Sequence, residues 1–187
     1  MSENRLWNHS SDNLARGTDF VLNGSNQNLM KNTAIIGLKE SKTKEIAEKL
    51  NVLLANYSLF YQNTRGVHWN IKGDQFFTLH PKFEELYNDL VLKIDEIAER
   101  ILTLGATPNH NYSDYLTVSS IPESKEVSDA TKAVENILAS FKIVIDLQRE
   151  LLDISEEIGD EGTNSQMSDY ITQQEKEVWM YNSYLGK

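Results

Sequence analysis

Two histidines, His68 and His80, and three carboxylates, Glu84, Asp95 and Glu99, give this chain its chemical character, and all lie between Val67 and Arg100, VHWNIKGDQFFTLHPKFEELYNDLVLKIDEIAER. His80 and Glu84 stand four residues apart, as do Asp95 and Glu99, so each pair projects from one helix face a single turn apart. Imidazole nitrogen with carboxylate oxygen is a donor set that suits Fe(II) or Zn(II), and a carboxylate-rich neighbourhood tolerates the harder Fe(III). From His80 to Asp95 is fifteen residues, about 22 Å along one helix at roughly 1.5 Å per residue. The two pairs therefore cannot share an ion within one chain: either they are unrelated, or they meet across an interface. His68 sits near the end of the preceding helix, and an antiparallel hairpin returns it close to His80. A site built from His68 and His80 of one subunit, with Asp95 and Glu99 of a two-fold partner, satisfies both constraints. Taken singly, each histidine is more often a polar residue at a helix end than a ligand.

The elements that must position these groups read as helices. The second is the most strongly patterned, over about Gln75 to Leu104, with the apolar stripe Leu79, Phe83, Leu86, Leu90, Ile94, Ile97, Ile101 and Leu104 in steps of three or four. Pro81 removes a backbone donor one turn in, which predicts a local distortion or a later start. A first helix, roughly Ser41 to Val67 with Ser41 as N-cap, carries Ile46, Leu50, Leu53, Tyr57, Phe60, Thr64 and Val67. Residues 106–126, with Pro108 and Pro122, form a connection long enough to cross the height of a bundle, with a short helix around Tyr112 to Leu116. A third helix is expected over about Val127 to Ile158, a break over Gly159 to Gly162, and a fourth helix capped by Thr163 with the stripe Met167, Ile171, Gln174, Val178, Tyr181 and Leu185. Four long helices with one long crossover make an all-α, ferritin-like four-helix bundle. The domain spans 41–187, behind an irregular tail over 1–40 that is rich in Asn, Ser and Gly. In the tail, Trp7, Phe20, Val21 and Leu22 suit docking on a neighbouring subunit, and His9 reads as a solvated histidine.

Composition excludes several functions. With no cysteine, thiolate metal sites, disulfides and cysteine nucleophiles are absent. No apolar run approaches a membrane span and no signal-peptide pattern is present, so the expected location is the cytoplasm. The net charge of −10 opposes contact with nucleic acid and suits cations. In the tail Arg5, Arg16, Lys31 and Lys39, with Lys42 just beyond, face Glu3, Asp12, Asp19 and Glu40, so it is close to neutral. Bundle enzymes that hold two irons internally use paired Glu-x-x-His motifs. Here the residues three before His9, His68, His80 and His110 are Leu6, Arg65, Phe77 and Thr107, which argues against such a centre.

The run HWNIKG, FFTLH, FEELY and DEIAER resembles the signature of the Dps family, the mini-ferritins that protect DNA in starved cells. The spacings of twelve from His68 to His80, fifteen to Asp95 and four to Glu99 agree with that family's ferroxidase ligands, and the resemblance covers about Ser41 to Lys187. It implies a homo-oligomeric hollow shell, a dodecamer, with a mono- or di-iron centre at each two-fold interface. Fe(II) is oxidised there by hydrogen peroxide or oxygen and stored as Fe(III) mineral, which limits oxidative damage. His68, His80, Asp95 and Glu99 are then catalytic ligands. Glu84 is an extra ligand or a second-iron position, or else a solvated acid. Trp69 either supplies an electron when iron and peroxide are mismatched or simply packs. Asp160, Glu161 and Asp169 flank the start of the last helix, where family members place acidic pores that admit iron, although acids there also complement the helix dipole. Some relatives bind DNA through a lysine-rich tail, and this tail departs from that pattern. The rival readings are a DNA-compacting structural protein with secondary iron chemistry, and a surface protein on the same scaffold.

Overall fold

A computed structural model of the chain describes residues 33–187. Most of the tail expected over residues 1–40, including Trp7, His9, Phe20, Val21 and Leu22, lies outside the described residues. Among the described residues the regular structure is helical: α1 (Glu40–Asn70), α2 (Phe76–Thr103), α3 (Tyr112–Val118), α4 (Ala130–Ile158) and α5 (Glu161–Tyr184). No described helix is long and apolar enough to cross a membrane.

Two hairpins build the bundle. α1 packs on α2 and also on α4, and α4 packs on α5. The stripe read from α1 is buried along its whole length, from Ile46 to Val67, and it meets Phe83, Ile97 and Ile101 of α2 and Phe141, Val144 and Leu151 of α4 in one core. Phe60 and Phe141 meet edge to face at 5.0 Å, the arrangement that places a ring's positive edge on its neighbour's negative face. Burying a ring of this size contributes about 2–3 kcal/mol from area alone.

Helix ends depart from expectation at four places. α1 starts at Glu40, with Lys39 rather than Ser41 at the cap position, and runs three residues past Val67 to Asn70. α2 begins at Phe76 without a later start, and Pro81 sits inside it. Pro81 leaves the Phe77 carbonyl without its usual donor four residues on, a loss tolerated because Phe77 is 87% exposed and water reaches it. α4 starts at Ala130 rather than Val127, because the Asp129 side chain accepts from Lys132 N at 2.8 Å while Ser128 O accepts from Lys72 N at 3.1 Å. Asp160, not Thr163, caps α5: its carboxylate accepts from Thr163 N at 3.1 Å and from the Thr163 hydroxyl at 2.6 Å. Gly159 closes α4 at φ 72°, a left-handed turn that lets Asp160 N reach back to Ser155 O at 2.9 Å.

The crossover is tied to α1 by three asparagines. Asn51 accepts from Asn109 N at 2.7 Å and donates to Thr107 O at 3.3 Å. Asn56, fully buried, accepts from the Ser119 hydroxyl at 3.1 Å, Ser120 N at 3.0 Å and Ile121 N at 3.1 Å. Asn63 accepts from Ser124 N and donates to Pro122 O, both at 2.8 Å. Backbone that leaves regular structure must find partners elsewhere, and these side chains supply them.

Candidate metal centre

The α1/α2 hairpin brings His68 and His80 into direct contact. Their rings stack with centroids 3.8 Å apart and planes 22° apart. His68 belongs to the last turn of α1, so its carbonyl is among those a helix leaves unpaired at its C-terminal end. That carbonyl accepts from His80 Nδ1 at 2.9 Å, and the His80 carbonyl accepts from His68 Nδ1 at 2.8 Å. A carbonyl oxygen can only accept, so both Nδ1 atoms carry the proton. In the neutral rings both Nε2 atoms are left with free lone pairs, and a backbone carbonyl behind the protonated nitrogen is the arrangement that orients a metal-binding imidazole. His68 is buried and His80 half-buried.

Aromatic rings enclose the pair. Phe76, one turn before His80, stacks on it at 4.8 Å and 26°, and Tyr87 meets His68 in a T-shaped contact with ring centroids 5.3 Å apart. Partial burial, and then the Glu84 carboxylate, push the Tyr87 phenol above its ordinary range. Tyr87 meets Tyr61 at 6.1 Å. The Arg65 guanidinium lies over both the Tyr61 ring, at 5.8 Å, and the Trp69 ring, at 4.6 Å. Tyr61, Arg65 and Trp69 are spaced by four on α1, so the spacing that puts them on one face is present in the sequence, although of the three only Trp69 lies beside a candidate ligand in the chain. Trp69 is 56% exposed beneath that cation.

The other candidate ligands lie elsewhere on α2. Glu84, Asp95 and Glu99 are exposed, and among the described residues no three His, Asp or Glu side chains converge as a metal site requires. Glu99 lines a groove of about 800 Å³ between α2 and α5, which also carries Asp89, Glu96, Asp169 and the Arg100 guanidinium.

The three acids at the start of α5 separate in the structure. Glu161 and Asp169 are exposed, as a pore requires. Asp160 is only 2% exposed; it pairs with Arg100 and caps its own helix. Its carboxylate is fully engaged within the chain, so it leaves the set of pore candidates. Arg100 Nε also donates to the Thr163 hydroxyl at 2.9 Å, and a Cβ at Gly162 would stand 2.9 Å from two guanidinium nitrogens. Glycine is what lets that side chain lie on the helix backbone.

Inside the bundle, Gln148 and Gln174 donate to the Tyr57 hydroxyl at 2.6 and 2.5 Å. Asp160 is the one buried carboxylate among the described residues. The polar side chains that meet at Tyr57 within the apolar core are thus amides and a phenol.

A Ferritin-like domain model matches residues 47–187. The "DNA protection during starvation protein" of Porphyromonas gingivalis is 39% identical over 153 residues, covering 82% of this chain and 96% of the relative. The chain belongs to the Dps family. A Haemophilus influenzae protein is 55% identical over 148 residues, 79% of this chain and 92% of its own. Among solved Dps structures, that of Vibrio cholerae O1 is similar at 52% identity and a TM-score of 0.79, over 80% of this chain and 94% of that one. It is described as a member of a broad superfamily of ferritin-like diiron-carboxylate proteins.

Proposed function

We propose that this Dps family member is a ferroxidase and iron store. Fe(II) is its substrate, hydrogen peroxide the oxidant, and Fe(III) mineral the product held inside a hollow homo-oligomer, a dodecamer. The observation that carries this reading is the reciprocal histidine clamp, which ties both Nδ1 atoms to backbone carbonyls and leaves the Nε2 lone pair of each stacked ring free for a metal. Donor chemistry fits: two neutral imidazoles hold Fe(II), and carboxylates are needed to hold the Fe(III) product. Asp95 and Glu99 stand too far along α2 to reach the same chain's histidines, so the partner subunit's Asp95 and the partner subunit's Glu99 complete the site. Glu84, one turn beyond His80, takes a further ligand role or the second iron.

The balance of the reaction fixes what the site must do. Two Fe(II) give one electron each to one hydrogen peroxide, its O–O bond breaks, and two protons complete two waters. Two-electron use of peroxide leaves no hydroxyl radical, which supports protection of DNA without contact with it. Glu161 and Asp169, both exposed, are the acids that draw iron inward.

Two inactive variants test the shared site. One carries His68→Ala and His80→Ala, the other Asp95→Ala and Glu99→Ala. In a mixed two-fold dimer one interface receives all four native ligands and the other none. Co-assembled protein is expected to regain oxidation that each variant lacks. No recovery in assemblies shown by mass spectrometry to be mixed would sink the reading.

A further inference from the structure

α2 packs chiefly on α1, and α5 on α4, so the seam between α2 and α5 is open. A polar bridge crosses it midway: Lys93 Nζ donates to Asp89 at 2.5 Å and to the Gln173 side-chain oxygen at 2.9 Å, and Gln173 Nε2 donates to Asp89 at 3.0 Å. Beyond that bridge, toward the start of α2 and the end of α5, the seam deepens into a cavity of about 360 Å³. None of its lining residues is a proposed iron ligand or pore acid. Leu79, Leu86, Met180, Tyr181 and Tyr184 give it apolar walls, and Glu85, Asp89 and Glu177 make it acidic.

The three acids differ in what already neutralises them. Glu85 pairs with Lys82 at 2.5 Å, and Asp89 with Lys93 at 2.5 Å. Glu177 is half-buried and joins no ion pair or hydrogen bond among the described residues. Burial, and then the Asp89 carboxylate, push its carboxyl above the ordinary carboxylate range, so its charge is held at an electrostatic cost that a cation relieves. A metal ion fits poorly, because no three His, Asp or Glu side chains converge among the described residues. An ammonium needs one carboxylate and no fixed coordination, and tyrosine ring faces attract it as well. The walls of Leu86, Met180 and Tyr181 suit a hydrocarbon body behind that charge.

We propose that this cavity binds an unbranched aliphatic ammonium, with the cation at Glu177 and the hydrocarbon chain along Leu86, Met180 and Tyr181. Such a ligand answers both halves of the site. Charge alone would go equally to any exposed acid of the chain, and an uncharged hydrocarbon would leave Glu177 uncompensated.

The test uses the full chain in its assembled, iron-free form, titrated calorimetrically with n-butylamine, n-pentylamine and n-hexylamine, and with 1-hexanol and hexanoate for comparison. One amine per chain is expected, tightening about fourfold per added methylene as the walls are covered. Hexanol should bind at least about tenfold more weakly than hexylamine, and hexanoate not at all. Glu177→Gln should weaken hexylamine at least about tenfold and leave hexanol unchanged. Glu161→Gln, which alters an exposed acid at the other end of α5, should change neither. Equal hexylamine binding in wild type and Glu177→Gln, or an equal loss in Glu161→Gln, overturns the proposal by showing attraction to diffuse negative charge. So do hexanoate binding as tight as that of hexylamine, affinity independent of chain length, and no amine binding at all. A hexylamine carrying a photoreactive diazirine locates the site in the unaltered protein. Its crosslinks should map to residues 79–86 and 177–184, and crosslinks confined elsewhere overturn the proposal even if Glu177→Gln fails to fold. Iron is absent throughout, so every outcome leaves the ferroxidase reading untouched.

Discussion

Replacing Asp160 separates a structural carboxylate from a pore carboxylate. Asp160 pairs with Arg100, accepts from Thr163 N at 3.1 Å, and accepts from the Thr163 hydroxyl at 2.6 Å. Removing one partner of a buried ion pair costs about 3–5 kcal/mol, because the other charge is left without compensation. Loss of an N-cap adds about 1 kcal/mol. Arg100 keeps 17% of its side chain exposed, so water rehydrates part of the orphaned guanidinium and the pair belongs at the low end of its range. Asp160→Ala should therefore lose about 4 kcal/mol, or roughly 8–16 °C in melting temperature for a chain of this size. Asp160→Asn, which keeps an oxygen at the cap, should fall between. The assay is thermal and urea unfolding followed by circular dichroism, run beside the surface double variant Glu161→Gln with Asp169→Asn. That double variant should melt as wild type does but take up iron more slowly. An Asp160→Ala protein with wild-type stability and slowed uptake would refute the structural assignment and return Asp160 to the pore.

Asn56→Ala should cost about 1–2 kcal/mol, the loss of an acceptor for Ser120 N and Ile121 N, and amide exchange should speed up most at Ser120, since Ile121 N keeps the Ser119 hydroxyl at 3.0 Å. Burial pushes the phenols of Tyr57, Tyr170 and Tyr181 well above their ordinary range. The folded state therefore keeps protons that the unfolded state gives up. Stability should be intact below the unfolded phenol value near 10 and fall as pH rises past it, with tyrosinate absorbance appearing together with loss of helical signal. Near neutral pH and physiological salt, without divalent cations, a gel shift should show no tight binding to duplex DNA, because net charge −10 gives little phosphate neutralisation. A shifted band that weakens steeply with salt would contradict that.

Most of the bundle was legible because burial repeats on a helical period. The stripes from Ile46 to Val67 and from Leu79 to Leu104 line the core, with Ile94 alone half-buried, since an element of that length has one way to hide so many apolar side chains. The ends were less legible because several polar residues compete for each cap. Ser41 and Thr163 both suited the role, yet Asp160 won at α5 through its added partner Arg100, a contact sixty residues away that no local pattern announces. Asn51, Asn56 and Asn63 lie off the apolar stripe of α1, and no local pattern shows that the crossover will cover them.

The histidine pair was legible in the sequence, and its preparation was not. Spacing alone puts His68 beside His80, but the tautomer depends on two backbone carbonyls, and one of those is available only because α1 stops at Asn70. Had the helix continued, the His68 carbonyl would have an amide partner of its own and a weaker hold on His80. Ordering two imidazoles normally costs binding energy when an ion arrives, and in the proposed centre rings already stacked at 3.8 Å and tied behind would avoid much of that cost. Asp95 and Glu99 are the opposite case: both are exposed, and neither joins an ion pair within the chain among the described residues. Carboxylates left in water carry no desolvation cost until a cation and a second subunit approach together. In the proposed centre, folding thus fixes the neutral ligands, and assembly brings the charged ones, so the full donor set forms only where two copies of the chain meet.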